Sequence, residues 1–214
     1  MILSILAASG ATQVARAEAI NDVDRIWNAY RLRWASTETY QANFRQRIEI
    51  TGIGGDVISG GRFYFSRPDR MHWDYTEGEQ QQVIGDGRWV WVYQPDLEQV
   101  YQIDYIAAFG SGGLVALLAD REGLSKRFSL EFAGRTAESV KLRLLPREGA
   151  GETLELEMSS KTMDLRSVVV TDPAGSVTFV EFLDIRRNGE LESDLFVFTP
   201  PDGVDIITSP EAGG

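Results

Sequence analysis

The sequence predicts a mainly β protein: about 10–11 antiparallel strands rolled into a barrel or a strongly curved sheet, with short helices covering its open side. Polar and apolar residues alternate through most of the chain, the alternating segments are joined by tight-turn sequences, and two stretches carry apolar residues at helical spacing instead. Strands joined by tight turns are antiparallel neighbours. A sheet of that many strands with one apolar face must curl to bury it, and the helical stretches are the natural cover for its open side.

The first helical stretch, Asn21 to Trp34, places Val23, Ile26, Trp27, Tyr30 and Trp34 on one face, with Asn21 or Asp22 as N-cap. From Tyr40 to Thr51 the period changes to two, with Tyr40, Ala42, Phe44, Ile48 and Ile50 opposite Gln41, Asn43, Arg45, Arg47 and Glu49. Gly52 to Asp56 reads as a hairpin connection and not as a phosphate cradle, because a strand pattern follows it where a cradle needs a helix. The segment SGGRFYFSRPDRMHW, Ser59 to Trp73, then holds two strands around Arg67-Pro68-Asp69, since proline lacks a ladder donor and ends the first of them. Arg67 is thereby set at a strand end. It is either a solvated edge charge or a group that crosses to hydrogen-bond backbone carbonyls of a neighbouring element.

Asp86-Gly87 between QQVI and RWVWVY predicts a hairpin turn, and Pro95-Asp96 another before Glu98 to Asp104. Tyr105 to Ala119 breaks the meander: Gly110, Gly112 and Gly113 would loosen its lead-in, and Leu114, Val115, Ala116, Leu117 and Leu118 read as a short apolar helix. It is too short to span a bilayer and too apolar to lie open in water. Strands resume at Phe128 to Ala133, Ser139 to Leu145, Thr153 to Ser159, Leu165 to Asp172 and Val177 to Arg186.

The 214 residues suit one domain, expected over residues 20–208. Residues 1–19 read as an export signal: the run MILSILAA precedes Ala15-Arg16-Ala17 and Ala17-Glu18-Ala19, small-x-small patterns that put cleavage near residues 17–19. No later apolar run approaches the roughly 20 residues of a membrane span, so an exported, soluble protein is expected. The net charge of −11 argues against nucleic acid or an anionic membrane surface as a partner. With no cysteine, neither a disulfide nor a lipidated cysteine is available.

Enzyme chemistry has little to build on, and none is expected. There is no Cys/His pair and one histidine, His72, whose place between Met71 and Trp73 on a strand makes it a surface or edge residue. No cofactor or metal is expected. What the sequence offers is apolar excess, with five tryptophans, ten phenylalanines and the leucines near Leu114. They either fill a core or, beneath a movable cover, line a cavity for an apolar ligand.

SGGRFYFSRPDRMHW, together with GDGRWVWVYQPDLEQV (Gly85 to Val100) and FTPPDGVDII (Phe198 to Ile207), resembles the periplasmic outer-membrane lipoprotein carrier family, the LolA-like proteins. The resemblance covers most of the chain after the leader. It implies an incomplete barrel with a helical lid that binds acylated lipoproteins, takes them from an inner-membrane lipoprotein-releasing ABC transporter and passes them to an outer-membrane acceptor. It also implies that Arg67 is the gate that holds the lid closed. Met71 and Trp73 would stand at the cavity mouth, although phenylalanine is common where Met71 stands. Tyr64 and Trp91 would belong to the cavity wall and Leu114, Leu117 and Leu118 to the lid, in a carrier expected to be a monomer. The same fold could carry or sense another lipid. An acceptor anchored through a lipidated cysteine, or a regulatory module with a second domain, fits the residues less well.

Overall fold

A computed structural model describes residues 22–52, 54–110 and 124–208. Residues 22–35 form helix α1. Six strands follow: β1 (Thr39–Glu49), β2 (Asp56–Ser66), β3 (Arg70–Glu77), β4 (Gln81–Asp86), β5 (Trp89–Gln94) and β6 (Gln99–Asp104). Helices α2 (Tyr105–Gly110) and α3 (Leu124–Arg127) precede β7 (Phe128–Arg135), β8 (Ser139–Pro146), β9 (Thr153–Ser159), β10 (Leu165–Thr171) and β11 (Val177–Arg187). A 3-10 turn at Ser193–Phe196 leads to β12 (Asp205–Thr208). The predicted export signal and lid leucines Leu114, Leu117 and Leu118 lie outside the described residues.

All the strands join one sheet in the order β12-β6-β5-β4-β3-β2-β1-β11-β10-β9-β8-β7, so β1 against β11 closes its middle and β12 and β7 stand at its open edges. The predicted meander is there, and one short strand was not foreseen. β12 pairs with β6 in parallel, Ile206 opposite Val100. Its four residues are all exposed, so they carry no alternation that a reading of period could detect.

The register stacks apolar side chains across the inner face. Tyr40 lies opposite Phe65, which lies opposite Met71, and Ala42 opposite Phe63, which lies opposite Trp73. Leu142, Leu144, Leu154, Leu156 and Met158 of the other half of the sheet are fully buried in the same cluster. Helix α1 covers this face with Val23, Ile26, Trp27, Tyr30 and Trp34, all buried in it as its spacing predicts. Burying each such side chain stabilises by about 1.5–3 kcal/mol, which is what holds a short helix against a sheet.

Two glycines let the inner strands approach. Gly85 sits opposite Met71, whose Cγ would lie 3.0 Å from an added Cβ. At Gly61, beside an irregularity in the β2–β3 pairing, an added Cβ would stand 1.9 Å from the Asp74 carbonyl oxygen.

The outer face is covered as well, over β3 to β5, by the chain that leaves β11. Phe196 is buried there with the Arg70 guanidinium 5.1 Å from its ring centre, and Phe198 packs 5.6 Å from Trp91 and 5.7 Å from Tyr93. His72 therefore is not a surface or edge residue: it is 8% exposed, beside Tyr64. Alternation along β3 shows which residues share a face and says nothing of what arrives to cover it.

Burial lowers the His72 pKa, with Asp74 partly opposing. Above pH ~6.5 the ring is neutral whether the chain is folded or not; below it the unfolded chain takes up the proton more readily, and stability falls towards the lower folded-state pKa. Urea midpoints at pH 7.5 and 5.5 are expected to fall further apart for the parent than for His72→Gln. Equal losses would refute a buried, neutral His72.

Candidate functional site

The last carbonyls of a helix have no partner within it, and at the end of α1 two arginines supply the donors. Arg67, in the β2–β3 turn, donates from Nη2 to the Trp34 carbonyl at 2.6 Å and from Nε to the Thr37 carbonyl at 2.7 Å. Its backbone N–H donates to the Glu38 carbonyl at 2.9 Å. Of the two readings of Arg67 that the sequence leaves open, the structure has the crossing one. Arg187, at the end of β11, donates to the Arg33 carbonyl at 2.5 Å and to the Thr37 hydroxyl. Asn188 adds Nδ2 to the Ser36 carbonyl at 3.1 Å and accepts the Glu38 N–H at 2.8 Å.

Asp164, in the turn between β9 and β10, completes the arrangement. It accepts from Arg33 Nε and Nη2 at 2.8 and 3.2 Å and lies 3.5 Å from Arg187 Nη1. Burial alone would raise the Asp164 pKa, but hydrogen bonds from Arg33 and Thr162 and the charges of Arg33 and Arg187 leave it below its ordinary value. A carboxyl of this kind adds stability above pH ~4 that is lost as pH falls through its lower folded-state pKa, so it stays charged near neutral pH. Positive charge at a helix C-terminus also complements the helix dipole. The end of α1 is thus latched to both halves of the sheet, by Arg67 on one side and by Arg187 with Asp164 on the other.

The remaining site residues fall into three groups. Met71 and Trp73 face the interior, 2% and 5% exposed, with Trp73 4.3 Å from Phe63 and 4.9 Å from Phe44 between ring centres. Tyr64 and Trp91 do not belong to an interior wall. Tyr64 pairs with His72 on the outer face, and Trp91 packs outside against Phe198 and donates its indole N–H to Asp86 at 3.1 Å. Their neighbours Phe63, Phe65 and Val90 take the inward positions, because side chains alternate along a strand. Leu114, Leu117 and Leu118 lie outside the described residues.

Arg187, Asp164 and Asn188 were missed from the sequence. The only signal was Arg186-Arg187-Asn188-Gly189 closing the last long strand, which does not say which arginine turns inward or what it meets. Replacing Arg187 with Leu removes one donor each from the Thr37 hydroxyl, from the Arg33 carbonyl, which keeps the Ser36 and Thr37 hydroxyls, and from Asp164, which keeps Arg33. Its expected cost is about 1–3 kcal/mol, read as a lower urea midpoint. Arg25→Ala, which loses only an exposed pair with Asp22, is the control and is expected to stay within about 0.5 kcal/mol of the parent.

Among the described residues no group of three or more His, Asp or Glu could hold a metal ion, and no helix is long and apolar enough to cross a membrane.

Residues 35–199 match the family model of the outer membrane lipoprotein carrier protein LolA. An outer-membrane lipoprotein carrier protein of Nitrosomonas europaea is 37% identical over 171 residues, covering 79% of this chain and 82% of its own. One of Halorhodospira halophila is 31% identical over 216 residues, covering 100% of this chain and 96% of its own. In fold the chain is similar to an uncharacterized conserved protein of Thermus thermophilus, with a TM-score of 0.56 at 14% identity over 88% of this chain and 99% of that one. The matched span runs from the latched end of α1 through every strand from β1 to β11, and the chain belongs to the LolA family of outer-membrane lipoprotein carriers.

Proposed function

We propose that this protein is a periplasmic carrier that shelters the acyl chains of lipoproteins against the inner face of its sheet, beneath α1 and the lid leucines Leu114, Leu117 and Leu118. It collects them from an inner-membrane lipoprotein-releasing ABC transporter and delivers them to an outer-membrane acceptor, acting as a carrier and not as a catalyst.

The observation that carries this reading is the division of labour along α1. The body of the helix meets the sheet through apolar side chains, whose contacts acyl chains could replace; its end is fixed by directional bonds from Arg67 and Arg187 that lipid cannot replace. Burying an acyl chain of about 16 carbons is worth on the order of 10 kcal/mol, a load that would be hard to release unless opening were costly. A latch that favours the closed, empty state lowers the net affinity by the cost of opening. Arg67 is the gate in this scheme, Arg187 its counterpart, and Met71 and Trp73 stand where chains enter. Met71 supplies a flexible thioether there, able to repack around chains of different length.

The reading is tested by mixing the protein with a synthetic triacylated lipopeptide and following both by gel filtration. A complex eluting at the position of one carrier is expected. Lipopeptide that stays in its own micelles at every protein concentration would refute the proposal.

A further inference from the structure

We infer that Trp27 and Trp34 donate hydrogen bonds to the carbonyl oxygens of the cargo's acyl linkages, so that the carrier favours ester- or amide-linked chains over bare hydrocarbon. The inference rests on the carrier reading and adds a polar contact to it.

The two residues are seven apart on α1 and so share its covered face. They are 5% and 4% exposed. Trp34 lies 5.2 Å from Phe65 and 5.7 Å from Tyr40, and Trp27 5.5 Å from Tyr30, between ring centres. Neither indole N–H has an acceptor among the described residues. Buried indoles ordinarily find one, as Trp91 does on Asp86 at the outer face.

Two such donors on the covering face of one helix are costly for a residue whose only task is to fill space, a task phenylalanine or leucine performs without a polar atom. An acyl group brings what they lack, because every ester or amide linkage carries a carbonyl oxygen at the head of its hydrocarbon. Seven residues of helix separate the donors by about 10 Å along the axis, so linkages at two depths beneath α1 can be met.

The test uses two fluorescent lipopeptides that differ only in linkage, one with dipalmitoyl ester chains and one with hexadecyl ether chains, which have no carbonyl. The parent is expected to bind the ester form about threefold to tenfold more tightly. A protein with Trp27→Phe and Trp34→Phe is expected to bind both forms alike: its absolute affinities shift together with the altered packing of α1, and the ratio between the two forms falls to about one. An unchanged ester preference, whatever the loss common to both forms, would overturn the inference, since lost packing affects the two ligands equally. Should the double variant not fold, the parent labelled with 15N-tryptophan serves: both ligands move the two indole N–H resonances by displacing the rings around them, the ester ligand is expected to add a further downfield proton shift from the new hydrogen bonds, and identical shifts with both would again overturn it. A parent that binds neither ligand would remove the carrier reading itself.

Discussion

Arg67→Leu is expected to give a folded protein that takes up acylated cargo and does not pass it on, with transfer lowered about tenfold or more. Arg67 supplies two charge-assisted bonds to the end of α1, each of a kind worth about 1.5–3 kcal/mol. Water can replace part of this, because the arginine is half-buried. A net loss of about 1.4–2.8 kcal/mol from the closed state tightens cargo binding by about tenfold to a hundredfold. The variant therefore holds its load where the parent would surrender it. Arg67→Lys should fall between the two, since a single ammonium cannot match the fork that reaches both Trp34 and Thr37. The measurement is the release of fluorescent lipoprotein from a loaded carrier to outer-membrane vesicles. Parent-like release by Arg67→Leu would remove Arg67 from the gate.

Gly61→Ala is expected to cost about 3 kcal/mol or more of stability, although it adds one methyl group. At 1.9 Å from the Asp74 carbonyl oxygen that group overlaps backbone, which cannot rotate away as a side chain could, so β2 and β3 must part at their irregularity. The separation would spread along the strand pair that holds Phe63 against Trp73 and places the Arg67 turn. Gly189→Ala provides the contrast, since nothing lies within 4 Å of its added Cβ. Urea denaturation should show a much lower midpoint for the first and no change for the second, and equal midpoints would contradict the strand geometry.

Those two residues also mark what could and could not be read in the sequence. The inner face was legible because burial there follows period: Tyr40, Ala42 and Phe44 on a strand, and Trp27, Tyr30 and Trp34 on a helix, each declare the side they bury. Arg67 could be placed at a strand end by the proline after it, but its partners, the carbonyls of residues 34 and 37, depend on how a helix docks some thirty residues upstream. The same limit hid Arg187, whose contacts with Arg33 and Thr37 join the two ends of the described chain. It also misplaced Tyr64 and Trp91, which the resemblance assigned to the wall: β2 has aromatic residues on both sides, and β5 sets Trp89, Trp91 and Tyr93 on one side against Val90 and Val92 on the other, so either side looked suited to an interior. Only the path of the C-terminal segment over the outer face, with Phe196 and Phe198, shows why both sides are apolar.

The carrier reading is tested most directly by mass spectrometry of the lipids and acylated proteins that co-purify with tagged protein from the native envelope. Triacylated lipoproteins are expected in the parent sample and are expected to disappear when Leu114, Leu117 and Leu118 are replaced by charged residues. Recovery of a free lipid alone would make the protein a carrier of that lipid, and a preparation without any lipid would contradict the account.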